Sequence, residues 1–227
     1  ILDSGFEVNL IQELPIKNVI HGTPIDDESF KEYFNFVKKS EIRVFGDQKI
    51  DIGKLKGLSQ IDFGQISSFN IDNFRDSMNF KYGVVFGTSY IKEPFINYLI
   101  EKGAINLHMG VSPFYRGAAC NYWAQHDGNY NMIGGTIHLI SKGLDSGDIL
   151  QTVSLLKGKY DKFDAGMIAV KNTIDAYVEI LKKNQLPKSS KQDKSKQIRY
   201  SRKMDFKSDN AKEFLESYYK SPEILIN

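Results

Sequence analysis

Two short apolar runs, Tyr82-Gly83-Val84-Val85-Phe86 and Ala104-Ile105-Asn106-Leu107-His108, are separated by a stretch that reads as a helix from residue 94 to 102 and stops at Gly103. Short apolar runs bounded by turn signals have the length of buried strands, and a glycine just past a helical stretch is a left-handed stop. Strand, helix, strand at this spacing predicts a parallel pair within an α/β sheet. In such sheets ligands gather beyond the carboxyl ends of the strands. Asn106 and His108 occupy that place.

The rest of the chain extends the pattern. Phe6-Glu7-Val8-Asn9-Leu10-Ile11 suits a buried strand closing at Pro15. Acidic residues at Asp26, Asp27 and Glu28 precede Phe30, Tyr33, Phe34 and Val37, whose spacing gives one apolar helical face. Gly53, Gly57 and Gly64 interrupt any long period up to Phe69, and that region receives no assignment. A helix is expected over 71–78, strands over 132–140 and 149–153 with a long turn between them, and a core-closing amphipathic helix over 165–183 on a stripe of Met167, Ile168, Val170, Ile174, Tyr177, Val178 and Leu181. Beyond Pro187 the composition shifts to Lys, Ser, Gln and Asp. Residues 188–196 read as a linker or exposed loop before a short extended run at 198–200 and a last helix over 209–219.

With 227 residues and 41% apolar content the chain can bury one full core. We divide it into a catalytic core, 1–186, and a C-terminal extension, 187–227. A net charge of +2 is too mild to imply a nucleic-acid or membrane partner. The single cysteine, Cys120, rules out an internal disulfide framework, and no apolar run reaches the ~18 residues of a membrane span. A cytoplasmic location is the simplest expectation.

Two residues apart on a strand, Asn106 and His108 face the same side. An amide donor and an imidazole aimed at one point can polarise a carbonyl and stabilise the oxyanion formed by nucleophilic attack. Asp145, in the long turn, is placed to orient that imidazole, favour its protonated form or accept a proton through water. The same Asn-x-His pattern also serves as a turn device beside a satisfied polar residue, and its spacing does not separate the two.

The ordered blocks Asn106-Leu107-His108, Pro113-Phe114-Tyr115-Arg116-Gly117-Ala118-Ala119, Trp123-Ala124, Gly135-Thr136-Ile137-His138 and Gly143-Leu144-Asp145-Ser146-Gly147-Asp148-Ile149 resemble the folate-dependent formyltransferase family. The resemblance implies a Rossmann-like, mostly parallel sheet flanked by helices, the formyltransferase fold, with a short C-terminal hairpin and helix. It implies catalytic roles for Asn106, His108 and Asp145 in attack of an amine on the formyl carbon of N10-formyltetrahydrofolate, through a tetrahedral intermediate and without a metal. It places the carrier against Ser89, Tyr90 and Ile91 and against the loop of Ser141, Lys142, Gly143 and Leu144, although Tyr90 and Ile91 also read as packing residues. It places the acceptor near Met109, Gly110, Tyr115 and Arg116. Arg116 can grip an anion or brace the loop, and Gly117 beside it favours bracing.

Some positions depart from the family pattern. Met109-Gly110 follows the histidine where many relatives have Pro or Gly and then Ser. Cys120 stands where a proline is common, and reads as a small buried residue; His138 reads as a structural strand residue. The family's first strand and glycine-containing loop have no counterpart before Ile1, so the chain reads as shortened or divergent there, and a missing central strand would leave a sheet gap with exposed apolar edges. The Arg116-Gly117 block and Trp123 look more like the tRNA and sugar branches than the purine branch. The residues after 186 are too few for the separate C-terminal domain of methionyl-tRNA formyltransferases and resemble the tail of short sugar N-formyltransferases, where it can build a homodimer interface. The expected acceptor is therefore a nucleotide-linked amino sugar, in cell-surface polysaccharide synthesis such as that of O-antigen. The alternatives are a methionyl-tRNA formyltransferase-like enzyme, whose RNA phosphates the basic residues Lys191, Lys194, Lys196, Arg199, Arg202 and Lys203 would track, and a non-catalytic folate or nucleotide-sugar binding protein on the same fold.

Overall fold

The computed structural model describes residues 1–16, 19–20, 23–24, 27–47, 51–70 and 80–227. The helix expected over 71–78 and His21 lie outside them. In chain order the elements are β1 (Asn9–Leu14), β2 (Val19–Ile20), β3 (Thr23–Pro24), α1 (Glu28–Phe45), β4 (Gly57–Asp62), β5 (Val84–Val85), α2 (Phe95–Glu101), β6 (Ile105–His108), β7 (Tyr115–Gly117), α3 (Cys120–His126), β8 (Gly134–Leu139), β9 (Ile149–Ser154), β10 (Gly158–Asp161), α4 (Lys162–Lys183), β11 (Arg199–Ser201), α5 (Ser208–Lys220) and β12 (Glu223–Ile226).

The expected α/β architecture is present, and β5 and β6 pair in parallel across the α2 crossover. Gly103, at φ 62°, ends that crossover in the left-handed region that only glycine enters without strain. The sheet then continues antiparallel, in the order β5-β6-β8-β9, with the turn at 141–148 folding β9 back on β8. A second parallel pair, β1 with β4, stands beside it. Two core clusters flank this framework. Ile105, Leu107, Ile137 and Leu150 on one face of the sheet meet Tyr177, Ile180 and Leu181 of α4, whereas Ile11 and Ile61 pack on Phe95, Ile96 and Leu99 of α2.

Helix α4 buries a narrower stripe than its apolar pattern suggests. Ala165, Ala169 and Thr173 are buried, while Met167, Ile168, Val170 and Ile174 are only partly so. Small residues win because the helix lies close on the sheet: a Cβ on Gly135 of β8 would sit 2.2 Å from Thr173 Oγ1. A third cluster is aromatic, with Phe30 and Tyr33 of α1, Tyr122 of α3, Phe163 of α4 and Phe206 and Phe214 near and on α5. Helix α1 starts where Asp27 accepts from the Ser29 and Phe30 N–H groups at 2.7 and 3.3 Å, a side-chain cap on two otherwise unpaired donors.

The C-terminal segment is built into this body. Its two strands pair with the core rather than with each other, β11 in parallel with β7 and β12 antiparallel to β10, so α5 and its flanking strands take the place of the expected hairpin and helix. The physical reason lies in Gly117: at φ 93° its missing Cβ leaves room for the Ser201 carbonyl, which would lie 1.9 Å from a Cβ. Among the described residues no helix is long and apolar enough to cross a membrane.

Candidate active site

Alternation along β6 sends Ile105 and Leu107 to the helical core and Asn106 and His108 to the opposite face. Cross-strand pairing then sets His138 of β8 opposite Asn106 and Thr136 opposite His108. The turn at 141–148 carries Asp145 over the end of these strands. The structure therefore brings Asn106, His108 and Asp145 together, and adds His138, which the sequence reading set aside as structural.

The Asp145 carboxylate is the centre of the cluster. One oxygen accepts from the Asn106 amide at 3.1 Å, the other from the Gly117 N–H at 2.9 Å, and that second oxygen lies 3.4 Å from His108 Nδ1. The Asn106 nitrogen also lies 3.0 Å from His138 Nε2, and His138 Nδ1 lies 2.8 Å from the Leu139 carbonyl. A carbonyl only accepts, so His138 carries its proton on Nδ1 and its bare Nε2 accepts from Asn106. Both Asn106 amide protons are thus engaged, one by a carboxylate and one by an imidazole.

His108 is oriented by the same logic. Its Nε2 lies 3.0 Å from the Tyr115 carbonyl and must donate to it, leaving Nδ1 toward Asp145. Burial lowers the His108 pKa below the ordinary imidazole value, and the Asp145 carboxylate opposes this without reversing it. Burial alone would raise the Asp145 pKa, but His108, His138 and the Gly117 N–H outweigh it and hold the carboxyl down at about 2. The arrangement is a neutral imidazole backed by a firmly ionised carboxylate, poised to accept a proton.

The two loops expected to hold a carrier meet beside this cluster: the Tyr90 hydroxyl donates to the Lys142 carbonyl at 2.9 Å, and Lys142 pairs with Glu93 at 2.7 Å. Ser89 is tied to Glu13 through its N–H and its hydroxyl, both at 2.6 Å. The Ser141 and Ser146 hydroxyls, 2.8 Å apart, close the 141–148 turn, with Ser146 also donating to the Gly143 carbonyl. Ile91 is buried in the α2 cluster, so its side chain packs there.

On the side expected for the acceptor, Gly110 sits where a Cβ would lie 2.5 Å from Cys120 Cβ and 2.6 Å from His108 Nε2. No other residue fits there. Met109 packs against the sheet core. The Tyr115 side chain is turned away from the site, fully buried, with its hydroxyl donating to Asp127 at 3.1 Å and accepting from Asn129 at 2.6 Å; its carbonyl alone belongs to the site. Arg116 is buried and braces the loops, donating to the Leu144 carbonyl and, at 3.1 Å, to Gln197. Cys120 is buried, which pushes its thiol pKa far up. Of the basic tail, Arg199 is committed to Asp127 at 2.7 and 3.0 Å and lies over the Trp123 ring.

The fold is that of solved formyltransferases. The structure of the formyltransferase PseJ from Anoxybacillus kamchatkensis, in complex with UDP-4,6-dideoxy-4-formamido-L-AltNAc and tetrahydrofolate, matches with a TM-score of 0.53 at 20% identity over 73% of this chain and 82% of that one. A sugar N-formyltransferase from a Shewanella species matches with a TM-score of 0.51 at 16% identity over 80% and 75%. Residues 84–156, which contain Asn106, His108, His138 and Asp145, match the formyl transferase family. By sequence, 84 residues are 33% identical to methionyl-tRNA formyltransferase from Desulforamulus reducens, covering 37% of this chain. The chain spans about a quarter of that relative's length, 24%.

Proposed function

We propose that the protein transfers a formyl group from N10-formyltetrahydrofolate to the amino group of a nucleotide-linked amino sugar. The observation that carries the reaction is the Asp145 carboxylate held at once by Asn106 and Gly117 and facing His108. The carrier, as the formyl-donating substrate, would lie along Ser89 and Tyr90 and the backbone of 141–144, whose amide edges suit a flat heterocycle with fixed donors and acceptors. The formyl oxygen would displace His138 Nε2 as acceptor of one Asn106 N–H, putting that donor where negative charge develops while the other stays on Asp145. As the amine attacks, neutral His108 accepts its proton at Nδ1 and Asp145 stabilises the imidazolium so formed; collapse of the tetrahedral intermediate breaks the bond between the formyl carbon and N10, and the imidazolium gives its proton to N10 as tetrahydrofolate leaves. Holding both substrates in one cleft supplies up to roughly 7–11 kcal/mol in favourable cases.

The sugar acceptor is supported by the UDP-sugar bound to PseJ and by the sugar N-formyltransferase activity of the Shewanella enzyme. The methionyl-tRNA reading is favoured by the sequence match at 33% identity, against which Arg199 of the basic tail is engaged within the fold. Purified protein is assayed with N10-formyltetrahydrofolate against a panel of nucleotide-linked 4-amino sugars and against initiator methionyl-tRNA. Formylated sugar is expected; transfer to tRNA alone would overturn the sugar assignment, and tight binding without turnover would turn the reading to a binding protein. A homodimer, assembled through the C-terminal extension, is part of the proposal and is read by light scattering.

A further inference from the structure

The stretch that composition marks as an exposed linker contributes a side chain to the wall of the candidate site. The Gln192 amide nitrogen donates to the Asp145 carbonyl at 2.9 Å and to the Gly147 carbonyl at 2.7 Å. Both partners are pure acceptors, so the nitrogen, not the oxygen, must face them. An amide NH₂ has two protons, and here both are spent clipping the backbone on either side of Ser146.

The clip falls where the chain is strained. Asp145 has φ 47°, a left-handed conformation that costs a non-glycine residue energy and persists only where the surroundings impose it. Gly147 is fixed against the sheet, since a Cβ on it would lie 1.7 Å from the Leu139 carbonyl. Arg116 holds the preceding Leu144 carbonyl, and the Ser141–Ser146–Gly143 bonds close the turn internally. The bonds to the Asp145 side chain come from Asn106 and Gly117. Gln192 is the side chain that takes hold of the Asp145 main-chain carbonyl. Its own place is set two residues earlier, where the Ser190 N–H and carbonyl pair with the Ile149 carbonyl and N–H at 2.8 and 2.7 Å. Its Oε1 is buried, with no hydrogen-bond partner among the described residues.

We propose that Gln192 is a positioning residue for the site: it locks the backbone of Asp145 in the left-handed conformation that lets one carboxylate reach Asn106, Gly117 and His108 together. Gln192 touches no reacting group. The kinetic part of this inference rests on the formyl-transfer reading; the geometric part does not.

The test uses three variants of the full chain. Gln192→Met keeps the side-chain length and removes both donors, Gln192→Lys restores donors to the same two carbonyls, and Lys191→Ala is a control on the neighbouring exposed residue. Two readouts are taken: kcat and KM for formyl transfer, and the imidazole ¹⁵N resonances of His108 and His138, with Asp145→Asn as the reference for a displaced carboxylate. Gln192→Met is expected to lower kcat by up to about 100-fold with KM little changed, and to move both ring signals toward those of Asp145→Asn. Gln192→Lys recovers most of both effects, and Lys191→Ala changes neither. Wild-type kcat and ring signals in Gln192→Met overturn the proposal, as does a loss of activity that follows only the folded fraction seen by circular dichroism. If the wild-type protein transfers no formyl group to any acceptor, the formyl-transfer reading falls, and the ring signals alone still decide what Gln192 does.

Discussion

Asn106 and His138 are direct cross-strand partners, and the bare Nε2 of His138 takes one of the two Asn106 amide protons at 3.0 Å. The amide is thereby fixed in one orientation, since its other proton goes to Asp145. Replacing His138 by Leu leaves a part-buried N–H without its acceptor, at a cost of up to about 3 kcal/mol. Urea denaturation should register that loss, and His138→Gln, whose side-chain oxygen can accept, should restore part of it. Equal stability of the two variants would contradict the assignment of His138 Nε2 as acceptor.

The proposed proton acceptor and the carboxylate behind it should be the costliest residues to change. His108→Ala and Asp145→Asn are each expected to reduce formyl transfer on the order of 100- to 10,000-fold, with both variants folded by circular dichroism. Wild-type rates in both, measured with the correct acceptor, would remove the proposed mechanism.

The pH dependence follows from the two shifts. His108 has its pKa lowered in the fold, so below the ordinary imidazole range the unfolded chain binds more protons than the folded one. Asp145, held at about 2, likewise lets the unfolded chain bind more protons between about 2 and its ordinary 3.8. Stability therefore falls as pH drops, first through the window between the lowered His108 value and its ordinary 6.5, then between 3.8 and about 2. Transfer needs neutral His108, so kcat should rise with pH to a plateau reached below the ordinary histidine range. Thermal melts and a pH–rate profile check both; a rate still climbing well above pH 7 would contradict a burial-lowered His108.

Gly110 has no room for a side chain. Gly110→Ala forces its Cβ against Cys120 and His108, and overpacking of this kind costs about 1–3 kcal/mol. Because His108 Nε2 is one of the two atoms struck, the transfer rate should fall further than the lost stability explains. A variant with lowered stability but unchanged rate would show that the strain is taken up by Cys120 alone.

The parallel start of the sheet was legible because residues 82–108 carry hydrophobic runs of strand length around a glycine-stopped helix. Asn106, His108 and Asp145 were legible from residue chemistry and motif order. By contrast, β4 was not: of its apolar residues Leu58 is exposed and only Ile61 faces the neighbouring core. His138 was passed over because a histidine inside an apolar strand reads as core, and its partner emerges only once β8 is paired with β6. Tyr115 misled in the opposite direction: it sits in the motif, yet its ring belongs to the aromatic core and only its carbonyl serves the site. Gln192 gave no signal in a run of lysines and serines, since its two acceptors are backbone atoms that no composition records.

The pairing of Ser201 against the gap at Gly117 also bears on time. Synthesis runs from the amino end, and Asp145 leaves the ribosome on the order of seconds before Gln192 and Ser201 do. A nascent chain that has just exposed Asp145 holds every polar group of the cluster but neither the clip on that aspartate nor the strand that lies along 115–117. Competence is thus expected to arrive as a late, single event in translation, so chains released before residue 201 are folded in part and unable to hold their carboxylate in place.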